Sequence, residues 1–164
     1  KAPDRKLSEK LRQIILSGER IQGVHDLIVH DYGPGRVIAS AHAEVKDTEN
    51  IVEIHEIIDA LENKIEKELG IVMIIHTDPI NVDCERTISF KRKVEEVAKD
   101  IDKNLTIHDF RITDGKENIN LIFDIVFPYE YDDDACHKIV FEIMDRMKTY
   151  DSRINIVAKI DRSY

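Results

Sequence analysis

The sequence predicts an α+β fold of two tandem units, each running helix, strand, strand, helix, strand. Three observations carry that expectation. Apolar periodicity switches between a helical and an alternating pattern in the same order twice along the 164 residues. Short segments return: Val24-His25-Asp26-Leu27 reappears 83 residues later as Ile107-His108-Asp109-Phe110, and His55 reappears 82 residues later as His137. The composition, 42% hydrophobic and 35% charged, is that of a globular chain able to bury a core.

Leu7, Leu11, Ile14 and Ile15 fall on one helical face and predict an amphipathic helix over residues 4–17, with Pro3-Asp4 suited to its start and Gly18 to its stop. Residues 24–32 and 36–45 read as strands joined by a turn at Gly33-Pro34-Gly35. That glycine pair links two strands and does not open a helix, so it reads as a hairpin turn and not as a phosphate cradle. In the second strand Val37, Ala39, Ala41, Ala43 and Val45 share one face, which puts His42 and Glu44 on the other, more polar one. Asp47 or Thr48 caps a helix reaching Leu69, with Ile51, Ile54, Ile58, Leu61, Ile65 and Leu69 as its apolar stripe and Gly70 as its stop. A strand over 71–77 closes the unit, and Pro79 is expected to end it. Small sheets covered on one face by helices in this order are ferredoxin-like.

The second unit repeats the order. A helix over 84–103 carries Ile88, Val94, Ala98 and Ile101. Strands over 105–113 and 119–127 flank a turn at Asp114-Gly115. A helix over 132–149 and a strand over 153–161 follow. The expected division is residues 1–81 and 82–164, two ferredoxin-like αββαβ units with the second degenerate.

Charge and cysteine usage narrow the function. A formal charge of -9 with no basic aromatic cluster disfavours nucleic acid as a partner and favours cations. Two distant cysteines, Cys84 and Cys136, make neither a disulfide framework nor a thiolate zinc site and suit a reducing cytoplasm. No apolar run spans a bilayer, and Lys1-Ala2-Pro3-Asp4 is no signal peptide; such a start reads as a piece of a longer chain.

Seven histidines stand out. On a strand His76 and Asp78 point the same way, roughly 7 Å apart, a spacing from which imidazole and carboxylate serve one divalent ion. His25, His42 and His55 lie on three further elements, and spacing alone does not say whether they converge. His30 is expected to be a strand-surface residue.

From Gly23 to Ile80 the chain resembles the C-terminal cytoplasmic domain of cation diffusion facilitator transporters, the family of divalent-cation efflux proteins. The matching residues are Gly23-Val24-His25-Asp26-Leu27, Val29-His30-Asp31-Tyr32-Gly33-Pro34-Gly35, Ala41-His42-Ala43-Glu44-Val45, His55-Glu56-Ile57 and Ile75-His76-Thr77-Asp78-Pro79. The resemblance implies a homodimerising regulatory domain on the cytoplasmic face of a bacterial inner membrane. It implies divalent-metal ligands, zinc above all, at His25, His42, His55, His76 and Asp78. It further implies a transmembrane domain in the same polypeptide that performs the transport, so this part is expected not to be an enzyme.

In the second unit His108, Asp124, His137, Lys159 and Asp161 stand where the first has His25, His42, His55, His76 and Asp78. An ammonium offers no lone pair and repels a cation, so the equivalent site is expected to be lost, with no more than weak binding left to Asp124, His137 and Asp161. Asp132-Asp133-Asp134 reads as a helix start stabilised by the dipole and not as a metal cluster. Because ligands must be deprotonated, occupancy of the first-unit site is expected to fall as pH drops through the histidine range. Two other readings are weighed: a freestanding metal-sensing or buffering module, and a metal-dependent hydrolase, for which no general base or substrate pocket is visible.

Overall fold

Among residues 5–163, which the computed structural model describes, the elements follow in the expected order. They are α1 (Arg5–Leu16), β1 (Gly23–Asp31), β2 (Val37–Lys46), α2 (Ile51–Leu69) and β3 (Val72–Ile80), then α3 (Cys84–Ile101), β4 (Thr106–Asp114), β5 (Ile119–Phe127), α4 (Asp133–Tyr150) and β6 (Ile154–Arg162). The proposed helix start at Pro3-Asp4 lies outside the described residues. The chain divides into two compact units, Lys1–Ile80 and Asn81–Tyr164. Each holds a three-stranded sheet, of order β1-β2-β3 in one and β4-β5-β6 in the other. In both, the first two strands are antiparallel and the last is parallel to the central one. This is the expected α+β fold of tandem ferredoxin-like αββαβ units. No described helix is long and apolar enough to cross a membrane.

The hairpins explain the drift in the repeat. Five residues, 32–36, join β1 to β2, whereas four, 115–118, join β4 to β5. Two residues separate α2 from β3 and three separate α4 from β6. The second unit therefore loses one residue at its hairpin and regains it before its last strand. In the longer hairpin Asp31 Oδ1 accepts from the Gly33 amide, and Gly33 and Gly35 adopt positive φ, 112° and 73°. Glycine takes that conformation without the penalty a Cβ brings.

Each first strand carries a β-bulge at the same place. The ladder shifts between His25 and Ile28 in β1, and between His108 and Arg111 in β4. Asp26 and Asp109 sit there with φ of 50° and 54°, a left-handed conformation that aspartate tolerates better than most residues. Strict alternation would turn Leu27 and Phe110 away from the helices. The inserted aspartate resets the phase, so Val24, Leu27 and Val29 all pack on the first core. The recurring His-Asp pair thus marks a backbone device common to both units.

The two cores solve one packing problem differently. Beneath α1 and α2 the central strand β2 turns in Ala39, Ala41 and Ala43, all fully buried, and bulk comes from Leu11, Ile15, Ile54, Leu61 and Ile65 on the helices. In the second unit the central strand β5 supplies the bulk through Leu121, Phe123, Ile125 and Phe127, against Val94, Ala98, Ile143 and Met147. Close packing needs the summed volume, not a given side chain at a given place.

Several local expectations are corrected. The cap of α2 is Asn50, whose side chain accepts from the amides of Val52 and Glu53; Asp47 and Thr48 lie in the preceding turn. Ile51, expected on the buried stripe, is 82% exposed at the first position of the helix. In α3 Phe90 turns inward and Ile88 stays exposed, because 90, 94, 97 and 98 form the unbroken helical row. Asp132 caps α4 by accepting from the Ala135 amide, and Cys136 is buried. Pro79 does not end β3, which runs on to Ile80 with Pro79 paired opposite Val45. As an edge strand, β3 has a free side on which a missing amide hydrogen costs no ladder bond.

Candidate metal centre

Register places three histidines in one row across the first sheet. His25 on β1 stands opposite His42 on β2, and His42 opposite His76 on β3. Their rings stack at centroid distances of 4.9 Å and 5.2 Å, with interplanar angles of 17° and 26°. These distances match the spacing of neighbouring strands, so the sheet itself sets the stack. All three face away from the alanines of β2 and hence away from the helices.

Asp78 lies two residues beyond His76 on β3, and its carboxylate reaches back over the row. It stands 3.1 Å from His42 Nδ1 and 3.1 Å from His25 Nε2. Donor atoms of His25, His42 and Asp78 all lie within 4.8 Å of one another, the one such grouping of His, Cys, Asp and Glu among the described residues. The site is half-buried, with side-chain exposures of 11% for His25, 36% for His42 and 19% for Asp78. Two imidazoles and a carboxylate form a borderline N/O donor set that suits zinc and similar divalent ions. The small separation lets modest side-chain rotations bring all three donors to one ion, so the residues present fit a divalent cation.

The remaining predicted ligands are placed differently. His76 stacks on His42 but is outside the converging trio. His55 sits on α2, 71% exposed, 3.3 Å from Asp59 one helical turn on. His30 is exposed and stacks on Tyr32. One residue missed by the sequence reasoning is drawn in. Glu44, only 3% exposed, has a carboxyl oxygen 2.9 Å from His25 Nδ1. The pattern did hold a signal for it, since Glu44 is two residues from His42 on the same face.

Electrostatics follow from these contacts. Burial alone would lower the His25 pKa, but hydrogen bonds to Asp78 and Glu44, with their charges, outweigh it and raise the pKa from 6.5 to about 9. Burial would raise Asp78, yet hydrogen bonds from His25 and His42 hold it below the ordinary carboxylate range. In the metal-free protein the raised His25 pKa contributes stability that is complete below pH 6.5 and disappears as pH rises through about 9. The expected loss is on the order of 2–3 kcal/mol. Urea denaturation of chelator-treated protein at pH 6 and pH 9.5 measures it; equal stability of the first unit at both would contradict this assignment.

The second unit keeps the register and changes the chemistry. His108, Asp124 and Lys159 stand in the row that His25, His42 and His76 occupy in the first. Asp124 is pushed up from the usual carboxylate range by burial, by a hydrogen bond with Asp109 and by the charge of Asp161, against the opposing pull of Lys159. The row holds an ammonium where the first unit holds an imidazole.

Comparison with known proteins bears on the first unit. Residues 3–80 match the family model described as cation efflux protein, cytoplasmic domain. Among solved structures, one concerning the zinc transporter CzrB matches at 26% identity and a TM-score of 0.44, covering 48% of this chain and 98% of that one. The Zn form of that protein matches at 25% identity and a TM-score of 0.41, covering 48% and 90%. No curated protein sequence matches the chain.

Proposed function

We propose that the chain, whose residues 3–80 match the model of the cation efflux protein cytoplasmic domain, is the dimerising, metal-responsive cytoplasmic part of a zinc efflux transporter of a bacterial inner membrane. The observation that carries this reading is the convergence of His25, His42 and Asp78 on one side of the first sheet. Neutral imidazoles of His25 and His42 and the carboxylate of Asp78 hold the cation, and His76 stands beside them in the row. A bound divalent ion supplies the positive charge that offsets Asp78 and Glu44. The domain binds and does not catalyse; transport is the work of membrane helices in the same polypeptide. Occupancy regulates through linkage: a site that binds one arrangement of two protomers better than another shifts the population between them. The second unit, residues 82–164, is a degenerate copy that keeps His108 and Asp161 at the positions of His25 and Asp78, while Asp124 replaces the middle histidine and Lys159 stands beside it in the row.

Calorimetric titration with zinc at neutral pH tests the assignment. The wild-type chain binds zinc, His42→Ala weakens that binding by at least about 10-fold, and His55→Ala leaves it within about 3-fold because His55 lies outside the trio. Wild-type affinity in His42→Ala would contradict the reading.

A further inference from the structure

We propose that Glu44 is a positioning residue of the metal site: its buried carboxyl group holds the His25 ring by Nδ1 and so presents Nε2 to the cation. This inference rests on reading His25, His42 and Asp78 as a cation site.

The geometry divides the two nitrogens of His25 between two jobs. Nδ1 lies 2.9 Å from Glu44 Oε2, and Nε2 lies 3.1 Å from Asp78 Oδ2. An imidazole whose one nitrogen donates to a fixed acceptor has its orientation set and its other nitrogen free for a ligand role. Asp78 also contacts His42, so Nε2 is the nitrogen that faces the donor cluster.

The fold does not need Glu44. A buried carboxyl group is costly to desolvate, and the second unit builds the same ladder without one. Glu44 lies opposite Gly23 on one side and Asp78 on the other; in the second unit Val126 lies opposite Thr106 and Asp161. The same sheet, with the same bulge, therefore forms around valine.

Gly23 is part of the arrangement. A Cβ there would stand 3.1–3.3 Å from the three terminal atoms of Glu44, tighter than ordinary van der Waals contact. The backbone of Gly23 adopts no positive φ, so glycine serves there to leave room for the carboxyl group. In the second unit, where the buried acid is replaced by valine, the glycine is replaced by threonine. The acid, the glycine and the histidine row are present together in one unit and altered together in the other.

The test uses the full chain with Glu44→Val and Glu44→Gln, zinc calorimetry, and long-range imidazole 1H–15N spectra of the zinc-loaded protein. In the wild type His25 shows metal at Nε2 and a slowly exchanging proton on Nδ1. Glu44→Val weakens zinc binding by about 10- to 100-fold and loses the slow exchange of that proton. Glu44→Gln, whose amide oxygen accepts the same hydrogen bond, keeps the proton signal and binds more tightly than Glu44→Val. Wild-type affinity in Glu44→Val overturns the Glu44 inference alone and leaves the site reading standing. Absence of zinc binding by the wild type overturns both. If Glu44→Val does not fold, the wild-type spectrum decides: metal on Nδ1 of His25 overturns the inference.

Discussion

Replacing Asp78 with alanine lowers zinc affinity by more than about 100-fold, beyond the 10- to 100-fold typical of losing a supporting residue. Asp78 is the one residue of the cluster that contacts both His25 and His42 through its carboxylate, at 3.1 Å each. Its removal deletes a donor and the negative charge that draws the two rings to a common point. In the metal-free protein it also strips the half-buried His25 of one of the two carboxyl partners that raise its pKa, so that pKa falls back toward the ordinary value. Calorimetry gives the affinity, and NMR titration of His25 gives the shift. An Asp78→Ala protein with zinc affinity within 3-fold of wild type would contradict the site assignment.

The second large effect is on stability and leaves the metal site alone. Phe123 on β5 is 1% exposed and stacks on Phe110 at a centroid distance of 5.8 Å. Phe123→Ala removes a ring from a core whose bulk comes from its central strand, and the second unit loses about 3–5 kcal/mol. The proposed zinc ligands His25, His42 and Asp78 all lie in the first unit, so calorimetry on the same variant is expected to return wild-type affinity. Denaturation followed at second-unit residues measures the first outcome. Zinc binding that disappears in Phe123→Ala while residues 5–80 keep their native spectrum would contradict placing the whole site in the first unit.

Much of the fold was legible because its periodicities are clean. Alternation in Val37–Val45 separated the alanine face of β2 from the face bearing His42, and the internal repeat gave the two-unit order directly. What failed was local and had physical causes. Pro79 reads as a stop, yet an edge strand absorbs it; strand order, which sequence does not display, makes the difference. Ile51 continues the apolar stripe in sequence but lies in the first turn of α2, next to the Asn50 cap.

The candidate site was legible as a set of residue types and not as an arrangement. His76-x-Asp78 showed a shared strand face, and the structure adds that the donor atoms of Asp78 converge with those of His25 and His42, while His76 stacks beside them. The stacked row needs the register of three strands and the bulge at Asp26, which sets the phase of β1 beyond His25. Glu44 was hidden because a glutamate on the polar face of a strand ordinarily reads as solvated; its burial depends on Gly23 across the hairpin.

In the proposed function one divalent cation is held by His25, His42 and Asp78, whose donor atoms converge. Crystals of the full chain grown with zinc, measured on both sides of the zinc absorption edge, test it directly. The expected result is an edge-dependent anomalous peak about 2.0–2.2 Å from a nitrogen of His25, a nitrogen of His42 and an oxygen of Asp78. Anomalous peaks confined to other residues, with His25 and His42 still hydrogen-bonded to Asp78, would contradict it.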